Sequence, residues 1–157
     1  MRLTLGSRSY DLRTRALVMA VAGSPREGAD IVHMVEPGPA ELPVCVTACD
    51  EDGVRRALAA GVDLLHLSEP TPASLSLCAD AATAVLVPPA AAADAAAAGL
   101  PPERIVVDAL LLDVTTADLP AVVTAVGVIQ GARIVRTADV AGARRVCDVL
   151  AAVLEAP

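Results

Sequence analysis

The chain has 157 residues, a formal net charge of −7 and a single aromatic residue, Tyr10. All twelve cations are Arg and nineteen carboxylates outnumber them, which excludes a basic phosphate-binding surface, base-stacking platforms and an electrostatic membrane anchor. Lys, Asn, Phe and Trp are absent altogether, so a core of Ala, Val and Leu must support one domain over 1–157, well short of the roughly 250 residues of a typical eight-stranded barrel.

Residues 1–7 carry no apolar stretch ahead of a cleavage site, and a cytoplasmic location is expected. Residues 3–5 and 9–12 flank Gly6-Ser7-Arg8 as a small hairpin, and 16–22 form a buried strand. Short apolar runs at 31–35, 43–48, 63–67, 84–87 and 105–112 repeat the pattern of strands buried on both faces, as in a parallel sheet. Asp50 can cap a helix carrying Val54, Ala57 and Leu58 on one face and stopped by Gly61. The apolar run 83–100 is broken by Pro88, Pro89 and Asp94, a poor membrane span; within it, 90–98 reads as an Ala-rich helix ended by Gly99 and Pro101.

Residues 118–130 form a further helix closed by Gly131, and 132–137 the last strand. Asp139 then caps a final helix in which Val140, Ala143, Val146, Cys147, Leu150, Val153 and Leu154 keep helical spacing while Arg144, Arg145 and Asp148 turn outward. Alternating strands and helices predict an α/β domain. Cys45, Cys49, Cys78 and Cys147 read as free thiols, three of them within apolar patterns.

Two connections, 23–28 and 36–42, are too short for a crossover helix, which needs a dozen or more residues. The outer face of the first three barrel strands is therefore expected to lack helical cover and to be buried against a second subunit, giving a homodimer.

The segment 6–19 resembles the opening hairpin and first strand of dihydropteroate synthase, the barrel enzyme of folate synthesis that joins p-aminobenzoate to a pterin pyrophosphate with the help of Mg²⁺. Residues 27–32 are similar to its second strand, 57–65 to the end of a helix and the fourth strand, 101–108 to the approach to the sixth strand, and 131–140 to the last strand and following turn. The resemblance implies a shortened barrel of about seven strands, with the family's seventh strand deleted because 113–130 holds only a loop and one helix.

It also implies a degenerate site. Ala22-Gly23-Ser24-Pro25 stands where the family has a metal-binding Asn and a mobile Thr-Pro-Asp-Ser-Phe loop. His33 and Val35-Glu36-Pro37-Gly38 replace the second-strand Asp and its loop, Thr47-Ala48 replaces an Asp-Thr pair, and His66-Leu67 replaces Asn-Asp. The Lys-bearing segment after the sixth strand is Ala109-Leu110-Leu111-Leu112-Asp113, and the last-strand His is Ala138. Of the family's polar contacts Asp108 and Arg136 remain, and the loss of several preorganised groups abolishes useful turnover.

Asp108 and Arg136 are thus the candidate ligand-binding residues, at strand ends that approach one barrel mouth; an internal pair between them, or solvation at the rim, is the competing reading. No catalytic residue, metal or cofactor is assigned, because the spacing of His33 and His66 relative to Glu36 and Glu69 matches no metal-ligand motif. The first functional expectation is a non-catalytic interaction or regulatory protein, partnered by itself or by a related enzyme. The alternative is a binding protein or diverged enzyme for a pterin-like or anionic small molecule.

Overall fold

In the computed structural model, which describes residues 1–154, eight parallel strands wind into a nearly closed barrel with an antiparallel hairpin beneath it. The hairpin strands β1 (Arg2–Leu5) and β2 (Arg8–Asp11) carry Leu3 and Leu5 into the barrel floor, joined there by Leu12. Gly6 makes the turn at φ +54°, and a Cβ there would lie 2.5 Å from the Asp63 carboxylate, so both backbone and space demand glycine.

The barrel strands are β3 (Leu17–Val21), β4 (Ile31–Met34), β5 (Val44–Ala48), β6 (Leu64–Leu67), β7 (Ala84–Val87), β8 (Ile105–Val107), β9 (Leu111–Asp113) and β10 (Ile134–Thr137). Spatially they run β8-β7-β6-β5-β4-β3-β10-β9. The count is eight where the sequence pattern gives about seven, because the apolar run 105–112 is interrupted. A 3-10 turn at Asp108–Leu110 splits it; the first half pairs with β7 (Val85 opposite Ile105) and the second with β10 (Ile134 opposite Leu111). One stretch of chain thereby serves both sheet edges and closes the barrel covalently. Between Asp113 and Gln130 lie a loop and one helix, but the seventh barrel strand is not deleted: β9 holds its place beside β10, and what is missing is a crossover helix between β8 and β9.

Alternation along each strand sorts side chains into the barrel or toward the outer layer. Leu17, Met19, Ile31, Cys45, Leu64, Leu86, Val106 and Ile134 fill the interior. Outside, α1 (Glu51–Ala59), α2 (Pro72–Asp80) and α3 (Ala92–Ala97) cover β5 to β7, and α4 (Pro120–Ile129) and α5 (Val140–Leu154) cover β3 and β10. Helix α2 is absent from the sequence reading although its capping box is legible: Thr71 accepts from the Ser74 N–H and Ser74 from the Thr71 N–H. No helix among the described residues is long and apolar enough to cross a membrane.

Helix α5 begins where expected, with the Gly142 N–H donating to Asp139 at 2.9 Å. Its faces differ from the sequence reading in two places. Val153 and Leu154 are exposed, lying beyond the sheet they were expected to cover. Arg144, expected outward, points inward to the Asp30 carboxylate at 3.0 Å. Asp30, 11% exposed, also accepts from Arg15 at 2.8 Å and from the Val18 backbone N–H at 2.9 Å, which ties β3, the start of β4 and α5 together.

The flank without crossover helices is closed within one chain. Val18, Ala20, Val32, Val44 and Val46, on the outer face of β3 to β5, are all buried. Met34 and Ala40 pack onto the cluster under α1, and Ala29 onto the cluster under α5. The expected bare sheet face does not exist, because loops this short still fold back over strands that are themselves only four or five residues long.

Two stability changes follow. Helices α1, α3 and α4 end on Gly61, Gly99 and Gly131 with positive φ, whereas α2 ends with Ala82 at φ +53°. Ala82→Gly is expected to raise stability by about 0.5–1 kcal/mol, since the left-handed conformation penalises a Cβ, read as a higher denaturant midpoint. Asp30→Ala, which strands the inward guanidinium of Arg144, is expected to cost about 3 kcal/mol in the same measurement.

Candidate functional site

Inward positions near the C-terminal ends of the strands are apolar in the layer below and polar in the layer above. Met19, Cys45, Leu64 and Leu86 close the barrel axis; one step higher stand His33 on β4, Thr47 on β5, His66 on β6, Asp113 on β9 and Arg136 on β10, with Asp108 at the seam after β8. Thr47 is exposed at this mouth, and Val21 on β3, level with His33, is half-buried there.

Arg136 is half of an ion pair whose partner is Asp113: Nε donates to the carboxylate at 3.1 Å and Nη2 donates to the same oxygen. The ladder dictates this pairing, because Arg136 and Asp113 face each other in register across β10 and β9, so adjacent side chains point to one side. Burial pushes the Asp113 carboxyl up, but hydrogen bonds from Arg136 and from the Thr115 N–H and hydroxyl outweigh it and hold it at about 2. Asp113 is missing from the sequence-derived site because it reads as the start of a loop. The signal for it is its two-residue spacing from inward-facing Leu111.

Asp108 forms no ion pair among the described residues; its charge acts on His66 across the seam. The two carried-over residues therefore stand at the same mouth with different neighbours. Asp108 belongs to the 3-10 turn beside β8, whereas Arg136 is held on the far side by Asp113.

His33 and His66 share Thr47, whose hydroxyl lies 3.1 Å from His33 Nε2 and 3.5 Å from His66 Nδ1. Burial pulls both imidazoles below their ordinary value, and the nearby Arg136 charge lowers them further. Beneath them burial pushes the Cys45 thiol up to about 12 despite Arg136, so it is an inert core group. No cluster of three or more His, Cys, Asp or Glu with metal-binding geometry exists among the described residues. One cleft of about 550 Å³ reaches the mouth at Thr47 and is bordered by Val35, Glu36 and Arg56, and another of about 520 Å³ lies away from it, bordered by Arg26, Gly28, Pro39 and Leu42.

Solved structures share this architecture across almost the whole chain. A dihydropteroate synthase from Thermus thermophilus in complex with 6HMPPP superimposes with a TM-score of 0.77 at 19% identity, covering 98% of this chain and 100% of that one. The fold is that of dihydropteroate synthase. The Xanthomonas albilineans synthase with 4-aminobenzoic acid gives 0.76 at 18% identity, covering 99% of both chains, and Mycobacterium tuberculosis Rv1207 gives 0.74 at 19% identity over 92% of this chain and 94% of that one. No family model matches the sequence, and no curated protein does. The likeness is one of backbone path, carried by the hairpin, the parallel barrel and the outer helices.

The polar layer gives the mouth a pH signature. Because the folded-state pKa values of His33 and His66 lie below the unfolded value of 6.5, acidification protonates the unfolded chain first. Stability is level above about pH 6.5 and declines as pH falls below it. Asp113 contributes stability present above its unfolded pKa of 3.8 and lost as pH falls toward about 2. Denaturant midpoints from pH 8 to 5 are expected to fall on the acid side, and His33→Gln/His66→Gln is expected to flatten that slope; an equal slope in the double variant refutes the assignment.

Proposed function

We propose that this protein is a non-catalytic relative of dihydropteroate synthase that works through protein association or regulation. The observation that carries the reading is the Asp113–Arg136 pair: the chain supplies from its own adjacent strand the anion that a ligand would otherwise bring to this guanidinium. The remaining polar layer points the same way, since His33 and His66 both turn to the Thr47 hydroxyl over a closed apolar floor. Neither Lys nor Asn is available anywhere in the sequence to serve the pyrophosphate or a metal. A charge-separating condensation needs preorganised cations and donors at the leaving group, and each missing one costs roughly 10²–10³ in rate.

A second reading, a binding protein or diverged enzyme for a pterin-like or anionic small molecule, is favoured by Asp108, the mouth carboxylate without an ion pair. One set of measurements separates the two. Purified protein incubated with pterin pyrophosphate, p-aminobenzoate and Mg²⁺ is expected to form no dihydropteroate, and calorimetric titration with pterin, pterin phosphate and p-aminobenzoate to give no binding heat. Turnover overturns the proposal. Heat that disappears in Asp108→Ala and Arg136→Ala replaces it with the second reading.

A further inference from the structure

The cleft that reaches the mouth at Thr47 runs between the loop after β4 and the side of α1. At about 550 Å³ it falls within the roughly 300–1,000 Å³ of small-molecule sites. Its two charged side chains, Glu36 and Arg56, are of opposite sign, yet neither enters an ion pair among the described residues. They lie beyond ion-pair distance of each other, which leaves room between them.

Helix α1 explains why Arg56 is free. Its neighbour Arg55 takes Glu51 at 3.1 Å and Asp52 at 3.2 Å, and Asp50 accepts from the Gly53 N–H. Three carboxylates thus stand within two turns of Arg56, and all are engaged elsewhere. The guanidinium lies back over Gly53, where an added Cβ would sit 3.7 Å from Nη2 and 3.0 Å from the capping Asp50 oxygen. Glycine weakens a helix; here it keeps the cap clear and the wall beside the guanidinium flat. The rest of the wall is aliphatic: Val35, 81% exposed, and Pro37 come from the loop after β4, Val46 from β5 and Ala57 from α1. No aromatic side chain borders the cleft, so a flat ring would find no stacking partner there.

We propose that this cleft binds a small aliphatic amino acid, with Arg56 taking the carboxylate, Glu36 the ammonium group and the aliphatic wall the side chain. A zwitterion satisfies both charges at once. A simple anion would set like charge against Glu36, and a simple cation would do the same at Arg56. The net −7 of the chain also disfavours a ligand of net negative charge, whereas an amino acid is neutral overall. A guanidinium fork suits a carboxylate, and the exposed Thr47 hydroxyl adds a further polar group at the inner end. The site lies apart from the Asp113–Arg136 pair and stands under either reading of the mouth.

Calorimetric titration with L-leucine is expected to show saturable binding at millimolar concentration or below. Isocaproate, which is leucine without the ammonium group, and isoamylamine, which is leucine without the carboxylate, are each expected to bind at least about tenfold more weakly. Arg56→Gln is expected to bring leucine down to the level of isoamylamine, and Glu36→Gln to that of isocaproate, so each charge is read separately. Both positions are exposed, so neither change enters the core, and circular dichroism checks the fold. Arg145→Gln, at an exposed cation outside the cleft, leaves leucine binding intact. Absence of saturable leucine binding overturns the proposal, as does equal affinity for leucine and both single-charge analogues, undiminished binding in both cleft variants, or an equal loss in Arg145→Gln. Because the pterin titrations probe Asp108 and Arg136 and this one Arg56 and Glu36, failure at one site leaves the outcome at the other readable.

Discussion

The barrel depends on a strand that cannot run straight. A parallel sheet of six full strands, from β7 round to β10, leaves two edges whose N–H and C=O groups must pair, and one nine-residue stretch, Ile105 through Asp113, is shared between them. Its first part pairs with β7, its last with β10, and the 3-10 turn at Asp108–Leu110 carries the chain across. The Arg133 N–H donates to Leu110 O and the Val114 N–H to Arg136 O, each at 2.9 Å, so the second ladder is bonded beyond both of its ends. Closure by covalent crossing costs one break in the wall. It fixes where Asp108 and Asp113 stand.

The functional reading is a consequence of that crossing. Because Leu111–Asp113 pairs with β10, Asp113 lies in register with Arg136 and its carboxylate takes the guanidinium. Had the strand continued along β7, Asp113 would face the opposite edge and Arg136 would be open to solvent. The same break leaves Asp108 on the seam, near His66 and away from Arg136. A shared fold, with TM-scores of 0.74–0.77 to the structures compared, thus accommodates a mouth whose guanidinium is already matched internally. Fold and function separate at the side chains.

The helix-free flank makes a related point about packing. Its two short loops shield β4 because strands of four residues present few outward side chains: Met34 and Ala29 are taken up by the clusters on either side, and Val32 is itself buried. Asp30 stabilises that side of the barrel by joining three elements that lack a crossover helix between them. The apolar surface that does remain open lies instead on α4 and α5, where helical spacing alone suggested coverage.

Local chemistry in the sequence determined the hairpin at Gly6, the doubly buried strands, the Asp50 and Asp139 caps and the order of elements, since each rests on residues within one or two turns of chain. It also held the Thr71–Ser74 capping box of α2, though that signal is weak beside neighbouring Pro and Glu, whereas Asp108 and Arg136 came as candidates from the family resemblance. What the tertiary structure decided is who faces whom. An unbroken apolar run gives no sign that its halves pair with opposite edges, so the Asp113–Arg136 pair was not legible. Nor was the inward turn of Arg144, since its helical position is that of a surface residue until Asp30, 114 residues earlier in the chain, lies beneath it. Short-range propensity is written residue by residue, whereas closure, register and burial depend on contacts between segments far apart in sequence, and there the fold chooses.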